Sequence, residues 1–174
     1  NIHIAGDENH IDCRFPVQYV IRPKSADFPD YRGYAGRVAG GIFKPGDEVM
    51  VLPSGFTYKI KSIDALGEKL QEVYAPMSVC ITLEDEIDIS RGDMIVRLNN
   101  APQAEQDIDL IICWMGNQPM IPNGKYALKH TSKDARCLIK EINYKVDINT
   151  LHRNESDKLI SMNDIARIKI RTTS

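Results

Sequence analysis

Few side chains in these 174 residues are spaced for chemistry. The four cysteines, Cys13, Cys80, Cys113 and Cys137, lie far apart, and no two have metal-knuckle or redox spacing. They read as buried free thiols in a reducing compartment. The histidines (His3, His10, His130, His152) have no ligand spacing. His130 falls in a strand register, as a core or surface residue. His3 and His10 could lie seven apart on a helix, but no thiolate or carboxylate joins them at metal spacing. The acidic run Glu84-Asp85-Glu86-Ile87-Asp88 could hold a cation, yet it lacks a calcium-loop pattern and its central glycine, so it reads as a solvated loop. Asp30-Tyr-Arg-Gly33 and Asp64-Ala-Leu-Gly67 match a phosphate-sensing switch by letter only. Neither follows a buried parallel strand, and Gly124-Lys125 lacks the upstream glycine of a phosphate loop because position 119 is Pro. No Ser/His/Asp or Cys/His set assembles. No catalytic, cofactor-binding or metal-ligating residue is assigned, and the residues by themselves describe a non-catalytic module.

The elements that would carry any surface have a period of two. Phe15, Val17, Tyr19 and Ile21 alternate with Pro16, Gln18, Val20 and Arg22. Tyr58-Ile60-Ser62, Val79-Ile81-Leu83, Met94-Val96-Leu98 and Ala166-Ile168-Ile170 alternate in the same way, as half-buried strands do. Turns at Arg32-Gly33, Gly40-Gly41, Pro45-Gly46-Asp47, Pro53-Ser54-Gly55 and Arg91-Gly92-Asp93 separate them. The expectation is all-β, a barrel or sandwich. Helix is expected only as a short piece near Asn1–Asp12 and one turn near Asn154–Ser161. The polar, Pro-containing stretch 99–107 reads as a linker. It separates a barrel over 13–98, preceded by a linker or short helix over 1–12, from a second domain over 108–174. There, Tyr126 and Leu128 start one strand, and Leu138, Ile142, Tyr144 and Val146 share a face that Lys140 interrupts, which predicts a bulge near Lys140-Glu141. Only 67 residues follow Asp107, few for a closed barrel, so strands beyond Ser174 are expected.

Composition narrows the function classes. The chain is 43% hydrophobic and 26% charged, with a formal net charge of -2, which excludes disorder as a description of the whole. Its first hundred residues are acidic and the rest slightly basic, without the excess of a dedicated nucleic-acid binder. The longest apolar run, Leu110 to Met115, is far short of a membrane-spanning helix. It is apolar on both faces, as in a strand covered on two sides. The polar start shows no secretory signal, and the missing initiating Met suggests a fragment or a processed chain.

One segment is more specific than its composition. In Gly36-Arg-Val-Ala-Gly-Gly-Ile-Phe-Lys-Pro-Gly-Asp-Glu-Val49 a strand enters a tight turn at Gly40-Gly41, and a second turn at Pro45-Gly46-Asp47 launches the next strand. This pattern, with Gly92-Asp-Met-Ile-Val-Arg97, resembles the second domain of translational GTPases such as elongation factor Tu. Further segments resemble the large, GTP-binding subunit of bacterial sulfate adenylyltransferase. In the first half they are Arg14-Phe-Pro-Val-Gln-Tyr-Val-Ile-Arg-Pro23, Tyr31-Arg-Gly-Tyr-Ala-Gly-Arg-Val38 and Ala75 to Asp93. In the second they are Tyr126-Ala-Leu-Lys-His-Thr131, Ile142-Asn-Tyr-Lys-Val-Asp147, Leu151-His-Arg-Asn-Glu155 and Met162-Asn-Asp-Ile-Ala166. The resemblance covers nearly the whole chain and implies two elongation factor Tu-like β-barrels, the second incomplete, without the GTPase domain.

What the resemblance implies is support rather than chemistry. In that family a small catalytic subunit forms adenylyl sulfate from ATP and sulfate, and the large subunit couples this to GTP hydrolysis. GTP and Mg would belong to the GTPase domain, so this stretch would hold no cofactor. The parent protein would be an enzyme subunit of sulfate assimilation and cysteine biosynthesis, and this stretch alone would not be an enzyme. Its expected partners are the small catalytic subunit and its own GTPase domain, in the cytoplasm, with no membrane and no nucleic acid. The interface is placed at Trp114, Met115, Met120 and Ile121, because Trp anchors interfaces and the Gly116–Pro122 loop mixes apolar and turn residues. The opposite reading makes Trp114 barrel core. The alternative function is an RNA-binding barrel of a translation-factor-type GTPase.

Overall fold

The structure, a computed structural model, describes residues 9–23, 31–85 and 87–173. It divides into two compact units: Asn1–Gln103 with Thr131–Lys133, and Ala104–His130 with Asp134–Ser174. The first contains β1 (Arg14–Ile21), β2 (Gly33–Arg37), β3 (Ile42–Phe43), β4 (Glu48–Leu52), β5 (Thr57–Ala65), β6 (Glu68–Lys69), β7 (Val73–Tyr74), β8 (Ser78–Leu83) and β9 (Met94–Arg97). The second contains β10 (Asp107–Cys113), β11 (Lys125–His130), β12 (Lys133–Val146), β13 (Arg153–Asn154) and β14 (Ile165–Thr173). Among the described residues the only helical piece is a 3-10 turn at Leu98–Asn100, and no helix is long and apolar enough to cross a membrane.

In the first unit the strand order β4-β9-β1-β2-β8-β5 returns to its start through the β4–β5 pairing, so the sheet closes. Phe15, Val17, Phe43, Val49, Ile81 and Ile95, all fully buried, fill the inside. Bulges decide which residues reach it. Val17 pairs with Gly36 but Tyr19 with Ala35, so Gln18 is an extra residue. The predicted alternation therefore holds through Val17 and then slips. Tyr19 turns out to solvent and Val20 packs on the core, the reverse of the expected faces. A similar shift between Ile60 and Ser62 brings Ile63 inside.

The Gly40-Gly41 turn is required by close approach. A Cβ on Gly40 would lie 2.5 Å from the Asp12 carbonyl oxygen, and one on Gly41 2.5 Å from Cys13 Cα. Gly41 also has φ 73°, which a side chain disfavours. Residues 1–8 of the expected N-terminal helix, including His3, lie outside the described residues. Residues 9–12 form no helix, because the Asn9 side-chain oxygen accepts the Ile11 and Asp12 amides at 2.9 and 3.0 Å, a local turn that competes with it.

The second unit orders its strands β10-β14-β12-β11, with β13 paired to β12. Ile139, Ile142, Ala166, Ile168 and Ile170 form its core. The bulge expected near Lys140 is present: Ile139 pairs with Ile170 and Glu141 with Lys169. It resets the phase, so Cys137 and Ile139 face the core before it, whereas Leu138 is only half-buried. A second shift, between Ile142 and Tyr144, follows. Asn154–Ser161 is not a helical turn, as the sequence suggested. The Asn154 side-chain oxygen accepts from the Ser156 and Asp157 amides at 3.0 and 3.1 Å, which closes a turn that no helix continues.

Two substitutions separate close approach from backbone conformation. Gly46 has φ 89° with open space around it, whereas Gly41 has no room. Gly46→Ala is expected to cost about 1 kcal/mol, and Gly41→Ala about 2–4 kcal/mol, in urea unfolding. Equal costs would contradict the packing account.

Candidate functional site

The predicted interface residues hang from the end of β10. The Trp114 amide donates to the Asp164 carbonyl at 2.9 Å, and the Asn163 amide donates to the Trp114 carbonyl at 2.7 Å. Its ring meets Tyr126 edge-on at 5.5 Å, and its Nε1 donates to the Gln118 carbonyl at 2.7 Å. Gly116 lets the chain cross the ring, since a Cβ there would lie 2.9 Å from it. The Tyr126 hydroxyl accepts the Ile121 amide at 2.9 Å. Trp114 is thus the half-buried organiser of its loop. Met120 is 3% exposed and belongs to the core, its amide bonded to the Ile160 carbonyl. Met115 and Ile121 are 72% and 64% exposed. The sequence grouped these four by proximity in the chain, and the structure separates them into an anchor, a core residue and two exposed apolar groups.

The β10 run is not covered on both sides within this unit. Leu110, Ile112 and Trp114 pack on the core, while Ile111, Cys113 and Met115 are exposed. Cys113 therefore departs from the expected buried thiols; its sulfur lies 3.8 Å from that of Met115. Beside this apolar strip the basic residues of β14 are already neutralised. Arg167 holds Asp109 through two bonds of 2.9 and 2.8 Å, which lowers the Asp109 pKa and raises that of Arg167. Arg171 pairs with Asp107 at 3.1 Å.

Lys145 fixes the irregular segment 157–164, whose end brackets Trp114. Its ammonium lies 2.7 Å from Asp164 and 2.9 Å from Asp157, and donates to the Leu159 carbonyl at 2.9 Å. Bonding to Lys145 pulls both carboxylates below their ordinary value of 3.8, and bonding to Asp164 raises the Lys145 ammonium above 10.5.

The first unit carries a groove of about 710 Å³ lined by Tyr31, Ser62, Asp64, Leu66, Cys80 and Thr82 among others. Its floor is a hydroxyl chain: Ser62 Oγ donates to Asp64 at 3.0 Å and lies 2.9 Å from Thr82 Oγ1. Burial pushes the Tyr31 phenol up to about 12 and the Cys80 thiol upward, the wrong direction for a nucleophile. Among the described residues no histidine lines the groove.

The other sequence candidates have structural roles. Asp64-Ala-Leu-Gly67 is the β5–β6 hairpin: Asp64 pairs with Lys69 and Ala65 with Glu68, which explains Gly67 at φ 86°. Asp30 of the other such match, and Glu86 of the acidic run, lie outside the described residues. Asp88 of that run is 2.9 Å from Arg22 and 3.6 Å from Arg32. His10 packs edge-on against Tyr74 at 6.4 Å, and His130 ends β11 at the surface. Among the described residues no group of three or more His, Cys, Asp or Glu could hold a metal ion. Sequence reasoning missed the Lys145 clamp, because Asp157 and Asp164 meet it only through folding.

The clamp predicts a pH signature. Carboxylates with lowered folded values stabilise fully above the unfolded value near 3.8, and the contribution is lost as pH falls through the folded values. The emission of Trp114, the single tryptophan, is expected to report loosening below pH 3.8. Lys145→Met is expected to move that transition to higher pH, and an unchanged transition would contradict the clamp.

Comparison with known proteins fits this geometry. Residues 107–174 match the GTP-eEF1A C-terminal domain-like family. The chain is 44% identical over 173 residues to the bifunctional enzyme CysN/CysC of Mycobacterium tuberculosis (strain ATCC 25618 / H37Rv), covering 99% of this chain and 28% of that protein. It is 43% identical over 171 residues to sulfate adenylyltransferase subunit 1 of Bacteroides fragilis (strain YCH46), covering 98% of this chain and 35% of that one. The chain thus spans about a third of the length of these relatives. Among solved structures, sup35 complexed with GDP superposes with a TM-score of 0.81 at 12% identity, over 96% of this chain and 40% of that one. The elongation factor SelB from Methanococcus maripaludis gives 0.72 at 18%, over 96% and 36%. These two show the fold alone. Residues 107–174 thus match the GTP-eEF1A C-terminal domain-like family model, and the chain is similar along almost its whole length to about a third of proteins named sulfate adenylyltransferase subunit 1.

Proposed function

We propose that this chain is the barrel portion of the regulatory GTPase subunit of a sulfate adenylyltransferase. It is a non-catalytic support for GTP-driven formation of adenylyl sulfate and pyrophosphate from ATP and sulfate in the cytoplasm. The observation that carries the reading is identity above 40% along almost the entire chain with proteins of that name. The site geometry agrees with a supporting role. The closed first barrel has a filled interior, and its groove holds raised phenol and thiol groups with no histidine among its described lining. Nucleotide and metal would be held by the rest of the full-length protein.

In this reading Ile111 on β10 and Met115 just beyond its end, with Ile121 on the loop that Trp114 organises, offer apolar area to the small catalytic subunit. Trp114 acts as the positioning residue for that loop, and Met120 as its root in the core. A nucleic-acid partner is disfavoured on this unit because the arginines of β14 are spent on Asp107 and Asp109.

Titration calorimetry of this chain against the small catalytic subunit of the same organism is expected to give saturable one-to-one binding. Met115→Lys with Ile121→Lys is expected to weaken it about tenfold or more. Absence of binding by the folded chain would overturn the docking role. Salt-dependent retention of tRNA in its place would favour the RNA-binding alternative.

A further inference from the structure

The chain enters and leaves the first unit at one place. Arg14, the first residue of β1, pairs with Val96 near the end of β9, and the 3-10 turn at Leu98–Asn100 follows at once. That turn has no buried residue and no side-chain bond at its N-cap, so its own side chains do not hold it. Arg14 reaches across to it. The Arg14 Nη1 donates to the Asn100 carbonyl at 2.7 Å, to the Asn100 side-chain oxygen at 2.8 Å and to the Cys13 carbonyl at 2.8 Å. Asn100 Nδ2 donates in turn to Asp12 Oδ1 at 3.1 Å, and that oxygen lies 3.8 Å from Arg14 Nη2. Arg14, Asn100 and Asp12 thus close a ring of side chains across 88 residues of sequence.

Asn9 extends the ring into the entering segment. Its Nδ2 donates to the other Asp12 oxygen at 2.7 Å, its side-chain oxygen accepts the Ile11 amide at 2.9 Å, and its carbonyl accepts the Gly41 amide at 2.6 Å. The bonds from Asn9 and Asn100 hold the Asp12 carboxyl below its ordinary value of 3.8, so it accepts from both at neutral pH. Bonds to a charged group are the stronger kind, and in a closed network each one positions the next. All four side chains belong to the first unit, so the ring needs no partner.

We propose that Asn9, Asp12, Arg14 and Asn100 form a latch that couples the segment entering the first barrel to the linker leaving it, so that release of one end loosens the other. The stretch 101–106, which runs on to β10, is thereby tethered at its start to the beginning of β1. A displacement of the chain ahead of Asn9 reaches that stretch through four side chains rather than through the barrel core. The latch is independent of the proposed function.

Amide exchange followed by NMR in the Asn100→Ala chain tests it. The Ile11 and Gly41 amides bond to Asn9 and not to Asn100, yet both are expected to exchange about tenfold faster, with the amides of β8 unchanged. Asn9→Ala is expected to speed exchange over 98–103 in the same way. Unchanged Ile11 and Gly41 amides in Asn100→Ala overturn the latch. Should β8 quicken as well, urea unfolding of Asn9→Ala, Asn100→Ala and the double variant decides. The latch predicts that the two effects on the unfolding constant fall short of their product by about fivefold, and simple multiplication overturns it.

Discussion

Closure of the first barrel through the short pairing of β4 with β5 is the constraint on which the rest depends. Glu48, Val49 and Met50 pair with Lys59, Tyr58 and Thr57, and the Gly46 amide reaches the Ile60 carbonyl at 2.7 Å. With that seam made, the ring has no free edge, and its interior is filled by residues such as Phe15, Phe43 and Ile95 that no solvent reaches. A filled closed barrel has no cavity in which to exclude water around a substrate.

The second unit solves a different problem. Its sheet stacks a core on one side of β10 and leaves Ile111 and Met115 on the other. What positions the adjoining loop is a set of polar interactions, each satisfied. Lys145 gathers Asp157 and Asp164, Asp164 and its neighbour Asn163 bracket Trp114, and Trp114 with Tyr126 shapes the turn that exposes Ile121. Electrostatics at the base of the loop thus determine where apolar side chains emerge at its surface.

The all-β class, the turns and the strand positions were legible because period-two alternation and paired glycines are local properties. The bulge at Lys140 was legible too, since a lysine in register with an apolar face would be buried unless the strand changed phase there. The slip after Val17 was not, because Gln18 is polar whichever face it takes, and only the register with β2 shows it to be extra. Met120 and Ile121 look alike in sequence, and only the hydrogen bond of Met120 to Ile160 sends one inward. Asp64-Ala-Leu-Gly67 could be dismissed as a switch, but that its leucine sits at positive φ in full solvent is a fact of three dimensions. The family resemblance was carried by short motifs in both halves, and the identity along almost the whole chain agrees with it.

The proposed function sets the exposed apolar surface around Ile111, Met115 and Ile121 against a small catalytic subunit. Hydrogen–deuterium exchange of the chain with and without the small catalytic subunit tests it most directly. The account predicts slowed exchange over the segment from Ile111 to Ile121, with the barrel core unchanged. Unaltered exchange there in a folded chain, at saturating partner, would contradict it.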